Sequence, residues 1–141
     1  MTRTADDTSA APDLQRQAVP AEPDQLNPLR DQLAAWAREA CLTAERVGDV
    51  LLAVYEAMAN VVVHAYPGRL GTFDLYARHA GSTVTVTIRD YGQWRPVPRP
   101  TVLGGRGLPM IRTLADRALI ETGSAGTTVT MTWECDCPRS P

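Results

Sequence analysis

Apolar positions recur along this chain with two different periods, and the switch between them marks its elements. In "LNPLRDQLAAWAREA" Leu29, Leu33, Trp36 and Ala40 fall on one face at helical spacing, with Pro28 tolerated in the first turn. "CLTAERVGDV" supplies a break and a restart, with Thr43 as the expected N-cap of a second helix running to about Ala65. Val47, Val50, Leu51, Val54, Met58 and Val61 form its core stripe, and "PGRLG" ends it. Beyond that point the period drops to two. "TFDLYARH" sends Phe73, Leu75 and Ala77 to one side, "TVTVTIRD" does the same with Val84, Val86 and Ile88, and "AGS" between them fits a hairpin. After a loop rich in Pro and Gly, "LPMIRTLADRA" returns to a helical pattern. "ALIET", the turn "GSAG" and "TTVTMTW" then make a second hairpin, with Val129, Met131 and Trp133 facing inward. Upstream, Leu14 to Val19 reads as a short strand stopped by Pro20. This order predicts an α+β fold, a two-layer sandwich with a mixed, mostly antiparallel sheet and helices on one face. Residues 1–13, rich in Thr, Ala, Asp and Ser, are expected to be a disordered tail. Residues 14–134 are expected to form one domain, and 135–141 a C-terminal tail.

One helix interrupts its own pattern. In "YEAMANVVVHAY" Glu56, Asn60 and His64 recur every fourth residue, and four residues of α-helix advance about 400°, which sets them nearly in line. Met58, two residues on from Glu56, lies about 200° round the axis, so the line is expected to face away from the core stripe. Near a triphosphate, an amide and a carboxylate on one face suit Mg²⁺, which takes oxygen ligands and keeps waters. Glu56 can also orient or deprotonate an attacking hydroxyl. A solvent-facing polar stripe is the other reading, disfavoured because the helix is apolar on nearly all other sides. His64 is expected to be packed and hydrogen-bonded as local support.

Two further clusters exceed what a core needs. "RDYGQW" puts Asp90 at a strand end with Gly92 two residues later. Such an Asp usually forms a turn, but a buried carboxylate there can accept a hydrogen bond from an exocyclic amine such as adenine's, with Gly92 leaving room for the base. "GGRGLPMI" feeds Gly104, Gly105 and Gly107 into a helix, whose free N–H groups and positive dipole end make a phosphate seat. A plain tight turn would have the same sequence, and neither the P-loop nor the G-x-G-x-x-G pattern is present.

Charge and composition narrow the field. Net charge is -2, from 14 basic and 16 acidic residues, so nothing favours nucleic acid or an anionic membrane. With 44% hydrophobic and 21% charged residues the chain reads as an ordinary globular protein. The longest apolar stretch, Val50 to Tyr66, is interrupted by Glu56, Asn60 and His64, and the N-terminus has no secretory apolar region, so a cytoplasmic location is expected. Three cysteines are too few for a disulfide framework, and Cys135 and Cys137 have no second Cys/His pair to complete a metal site.

Taken together these residues resemble the Bergerat-type (GHKL) ATP-binding fold of gyrase and histidine kinases, and more narrowly the bacterial anti-sigma-factor serine kinases. The family's E-A-x-x-N-x-x-x-H-A-Y helix reads here as Glu56 to Tyr66, its D-x-G box as Asp90-Tyr91-Gly92, its G-x-G-L box as Gly105-Arg106-Gly107-Leu108, and its G-T-T-V strand entry as Gly126-Thr127-Thr128-Val129. The resemblance covers about residues 14 to 134 with the boxes in order. It implies ATP and Mg²⁺ as cofactors, Asn60 as the Mg²⁺ ligand and Glu56 as general base toward a substrate serine. It further implies Asp90 on the adenine amine with Gly92 beside it, Gly105, Arg106, Gly107 and Leu108 along the phosphate path, and Thr128 near the adenine. The implied partners are a sigma factor and an anti-anti-sigma factor that supplies the serine, with a homodimer as the common assembly. The alternative is an ATP-binding interaction module without phosphotransfer. A histidine-kinase catalytic domain fits less well, since no helix bearing a phospho-acceptor histidine precedes the Glu56–Asn60 helix. Two departures stand out: Trp94 replaces the second glycine of D-x-G-x-G, and the lid "QWRPVPRPTVLG" is short and proline-rich. Its Arg95 and Arg99, with Arg106, supply cations for phosphate.

Overall fold

Helix α1 (Leu26–Arg38) follows a short 3-10 turn, Pro23–Gln25, and buries Leu29, Leu33, Trp36 and Ala37. The computed structural model describes residues 13–40, 42–93 and 107–135. The expectations for the N-terminal tail and for Cys137, Trp94, Arg95, Arg99, Gly105 and Arg106 fall outside them. Helix α2 (Ala44–Asn60) starts at Thr43, which adopts extended geometry and accepts a hydrogen bond from the Arg46 N–H at 3.1 Å, as the capping pattern predicts. The segment then continues as a π-helical turn, Val61–Ala65. Three consecutive β-branched valines crowd the preceding turn of an α-helix, and the wider π turn relieves that crowding. His64 lies within this π turn and is half-buried, as is Glu56. Val50, Val54, Met58 and Val61 are buried as predicted, whereas Leu51 is only half-buried.

Ala44–Ala65 is long and apolar enough by composition to cross a bilayer, but 44% of its most apolar stretch is buried within the protein. It packs against α1, against α3 (Gly107–Leu114) and against the sheet. The sheet contains β1 (Leu14–Pro20), β2 (Thr72–Ala80), β3 (Thr83–Asp90), β4 (Arg117–Gly123) and β5 (Gly126–Glu134) in the order β1-β2-β3-β5-β4. Each of the four ladders is antiparallel, so the expected mixed character is absent among the described residues. Alternation places Phe73, Leu75, Ala77, Val84, Val86, Ile88, Val129, Met131 and Trp133 in the core.

Helix α3 is shorter than its periodicity suggests. It ends at Leu114, whose carbonyl accepts from the Trp133 indole N–H at 3.0 Å. Asp116 then turns the chain into β4: its N–H donates to the Thr132 carbonyl at 3.0 Å and its Oδ2 accepts from the Glu134 N–H at 2.8 Å. Its Oδ1 pairs with Arg46 at 3.0 Å. Burial alone would raise the Asp116 pKa, but the Glu134 N–H and the Arg46 guanidinium outweigh it and hold the carboxyl below its usual value. In β1 the register slips between Arg16 and Val19, and Ala18 takes a left-handed φ of 55° with its N–H donating to Asp74 Oδ1 at 2.8 Å.

Candidate functional site

Asp90, the last residue of β3, is only 1% exposed. Its Oδ1 accepts from the Gly92 N–H at 3.0 Å, the Asx-type turn that a strand-end Asp favours. The same oxygen accepts from the Thr127 N–H at 3.3 Å, because β5 lies beside β3 and pairs Thr127 with Asp90. That approach requires glycine next door: Gly126 has φ 131°, and a Cβ there would sit 2.0 Å from the Asp90 carbonyl oxygen. A buried carboxylate is thus fixed at one oxygen by two backbone donors, a rigid acceptor for a hydrogen-bond donor.

The turn after Asp90 rests on the end of the π turn. The Gln93 N–H donates to the Ala65 carbonyl at 2.9 Å. A Cβ at Gly92 would meet that same oxygen at 2.0 Å, so the space left by Gly92 is occupied by the protein's own backbone rather than kept for a base. The sequence reading of Gly92 is corrected accordingly. The contact joins the Asp90 box to the helical segment that carries Glu56 and Asn60.

Asn60 is buried, 9% exposed, so the polar line does not simply face away from the core. Its Nδ2 has no hydrogen-bond partner among the described residues. A buried amide left unmet costs about 1–3 kcal/mol, so Asn60 is suited to contact a polar ligand. Rotated by half a turn, the same amide presents its oxygen. No cluster of three His, Cys, Asp or Glu side chains among the described residues could hold a metal by itself. A divalent cation at Asn60 would therefore draw its other ligands from phosphate oxygens and water, the habit of Mg²⁺. Glu56, half-buried, stands one helical turn before Asn60.

Gly107 and Leu108 open α3, which packs against α2. Thr128 is a correction. It pairs with Arg89 and Glu121 and lies on the sheet face opposite Val129, Met131 and Trp133. Thr127, 3% exposed and bonded to Asp90, occupies the site side instead. The alternation that sends Val129 inward also sends Thr127 inward, so the signal was present in the sequence.

Two tyrosines went unassigned in the sequence. The Tyr66 hydroxyl donates to the Thr72 carbonyl at 2.6 Å and accepts from the Tyr91 N–H at 2.8 Å. The Tyr91 hydroxyl donates to Asp74 Oδ2, which raises its pKa; burial and the Asp74 charge add to the effect, and Arg89 opposes it. The Arg89 guanidinium lies 5.2 Å from the Tyr91 ring centroid.

Residues 19–133 match the family described as "Histidine kinase-like ATPase domain". Over 130 residues the chain is 30% identical to the serine-protein kinase RsbW of Bacillus velezensis (strain DSM 23117 / BGSC 10A6 / LMG 26770 / FZB42), covering 81% of each. Over 115 residues it is 28% identical to the anti-sigma F factor of Thermoanaerobacter sp. (strain X514), covering 73% of this chain and 80% of the relative. A crystal structure of the RsbU and RsbW domains of a Mycobacterium tuberculosis protein superimposes with a TM-score of 0.72 at 28% identity, over 92% of this chain and 33% of that one. With four boxes in order on an antiparallel sheet backed by helices, and relatives of this kind, the chain belongs to the histidine kinase-like ATPase domain family.

Proposed function

We propose that the protein is an ATP-binding anti-sigma factor that sequesters a sigma factor and phosphorylates a serine on an anti-anti-sigma partner. The observation that carries this reading is the buried Asp90, fixed by two backbone donors and joined through Ala65 to the helical segment of Asn60 and Glu56. The names of the relatives, anti-sigma F factor and serine-protein kinase, support it. Asp90 accepts from the adenine amine. Asn60 holds Mg²⁺ by its amide oxygen, and the cation offsets phosphate charge when bound. Gly107 and Leu108, at the start of α3, border the phosphates, and Gly105 and Arg106 of the same sequence box serve the same group. Glu56 orients the serine hydroxyl and takes its proton as the serine oxygen bonds to the γ-phosphorus and the bond to ADP breaks. Sigma-factor control places this activity in the cytoplasm, and a homodimer is the expected assembly.

The test is incubation with γ-labelled ATP, Mg²⁺ and the cognate partner. Label on the partner serine is expected with the wild type, and its loss with retained ATP binding is expected for Glu56→Gln. A wild type that binds ATP and controls the partner without labelling it would be a non-catalytic ATP-binding module.

A further inference from the structure

Tyr66 closes the helix motif that contains Glu56 and Asn60, yet no step of phosphotransfer uses it. Its ring is half-buried and lies on Gly71, where a Cβ would come within 2.4 Å of three ring atoms. It also borders Gly92, where a Cβ would lie 2.9 Å from its Cε1. Its hydroxyl gives its proton to the Thr72 carbonyl and takes the Tyr91 N–H. One side chain thereby ties the end of the π turn, the start of β2 and the turn after β3.

The Tyr91 N–H belongs to the same rigid peptide plane as the Asp90 carbonyl. That plane is held at its N–H by Tyr66, and its oxygen faces Gly126, where only the lack of a Cβ leaves room for it, since an added Cβ would stand 2.0 Å away. The backbone that carries Asp90 is thus tied to the end of the π turn, and the carboxylate itself is held by the Gly92 and Thr127 N–H groups. We infer that Tyr66 is a positioning residue for base selection: through the Asp90–Tyr91 peptide it aims the carboxylate and so favours adenine over guanine. Adenine presents an amine donor to that carboxylate, and guanine presents a carbonyl at the corresponding ring position, which repels it. The inference rests on the ATP reading of Asp90.

The experiment compares wild type and Tyr66→Phe by calorimetric titration with ATP and separately with GTP, alongside thermal unfolding. Phenylalanine keeps the ring on Gly71 and removes only the hydroxyl. ATP affinity is expected to fall about tenfold, equivalent to ~1.4 kcal/mol, while GTP affinity changes less, so the ATP:GTP ratio drops. In the kinase assay KM for ATP rises and kcat at saturation holds. A purely structural tyrosine would lower the melting temperature and leave the ratio alone, and that result overturns the inference. A wild type that binds neither nucleotide overturns the ATP reading and the inference with it; a wild type that prefers ATP beside a variant of equal affinity and preference overturns the inference alone. If the variant does not fold, amide hydrogen exchange of the wild type decides: the Tyr91 amide is expected to be protected like the β3 amides, and exchange at the unprotected rate refutes the tie to Tyr66.

Discussion

Gly92→Ala is the sharpest structural test of the site. The added Cβ would lie 2.0 Å from the Ala65 carbonyl oxygen and 2.7 Å from its carbon. Both are backbone atoms, so neither can swing aside as a side-chain tip does. Reaching ordinary contact at 3.4 Å requires the turn to retreat by about 1.4 Å, the difference between 3.4 and 2.0 Å. A retreat of that size breaks Gln93 N–H to Ala65 carbonyl, now 2.9 Å, and strains Gly92 N–H to Asp90 Oδ1, now 3.0 Å. Overpacking costs about 1–3 kcal/mol and each hydrogen bond about 0.5–1.5, so the substitution is expected to destabilise by roughly 2–6 kcal/mol. Against a total stability of about 5–15 kcal/mol this is a large fraction. Urea unfolding followed by far-UV circular dichroism measures it, and ATP titration of the folded variant is expected to show at least a tenfold loss because Asp90 moves with the turn. A variant within ~0.5 kcal/mol of wild type, the scatter of a neutral surface change, would refute the packing described for this turn.

Four other substitutions test separate parts. Gly48, inside α2 with nothing within 4 Å of a would-be Cβ, is expected to gain about 0.5–1 kcal/mol in urea unfolding when changed to Ala, because glycine carries a backbone entropy cost in helices. Thr43→Ala removes the acceptor for the Arg46 N–H and is expected to cost about 1 kcal/mol in the same assay. Asp116 has its folded pKa lowered, so its contribution to stability is present above the unfolded value and is lost as pH falls through the folded one. The acid limb of a stability–pH curve is therefore expected to be shallower in Asp116→Asn, and an unchanged limb would count against the assignment. Asp90→Asn is expected to weaken ATP binding by calorimetry, since its amide end offers a donor where the adenine amine needs an acceptor.

Much of this architecture could be read from residues. The periods of 3.6 and 2 located α1, α2 and both hairpins, and Thr43 marked the start of α2 because capping chemistry is local. Three features escaped for physical reasons. The π turn at Val61–Ala65 retains helical character, so an apolar pattern cannot distinguish it from α. The end of α3 depends on Asp116 meeting Arg46, Thr132 and Glu134, all distant in sequence. Ala18 at positive φ has no signature, since alanine rarely adopts that conformation and is held there by Asp74. Asp90 and Asn60 were identifiable from their boxes, and both are buried. The reach of Tyr66 to Tyr91 was not, because it depends on how the turn folds back onto the helix end.

The strand order has a consequence in time. Asp90 acquires its second backbone donor only when Thr127 arrives, and β5 must insert between β3 and β4 for that to happen. During synthesis the Asn60 helix and the β2–β3 hairpin emerge first and form from near neighbours in sequence, whereas the β3–β5 ladder must wait for nearly all of the chain. The hold on Asp90 is thus finished last, and a nascent or C-terminally clipped chain lacking Gly126–Glu134 presents its helices without the Thr127 donor to that carboxylate.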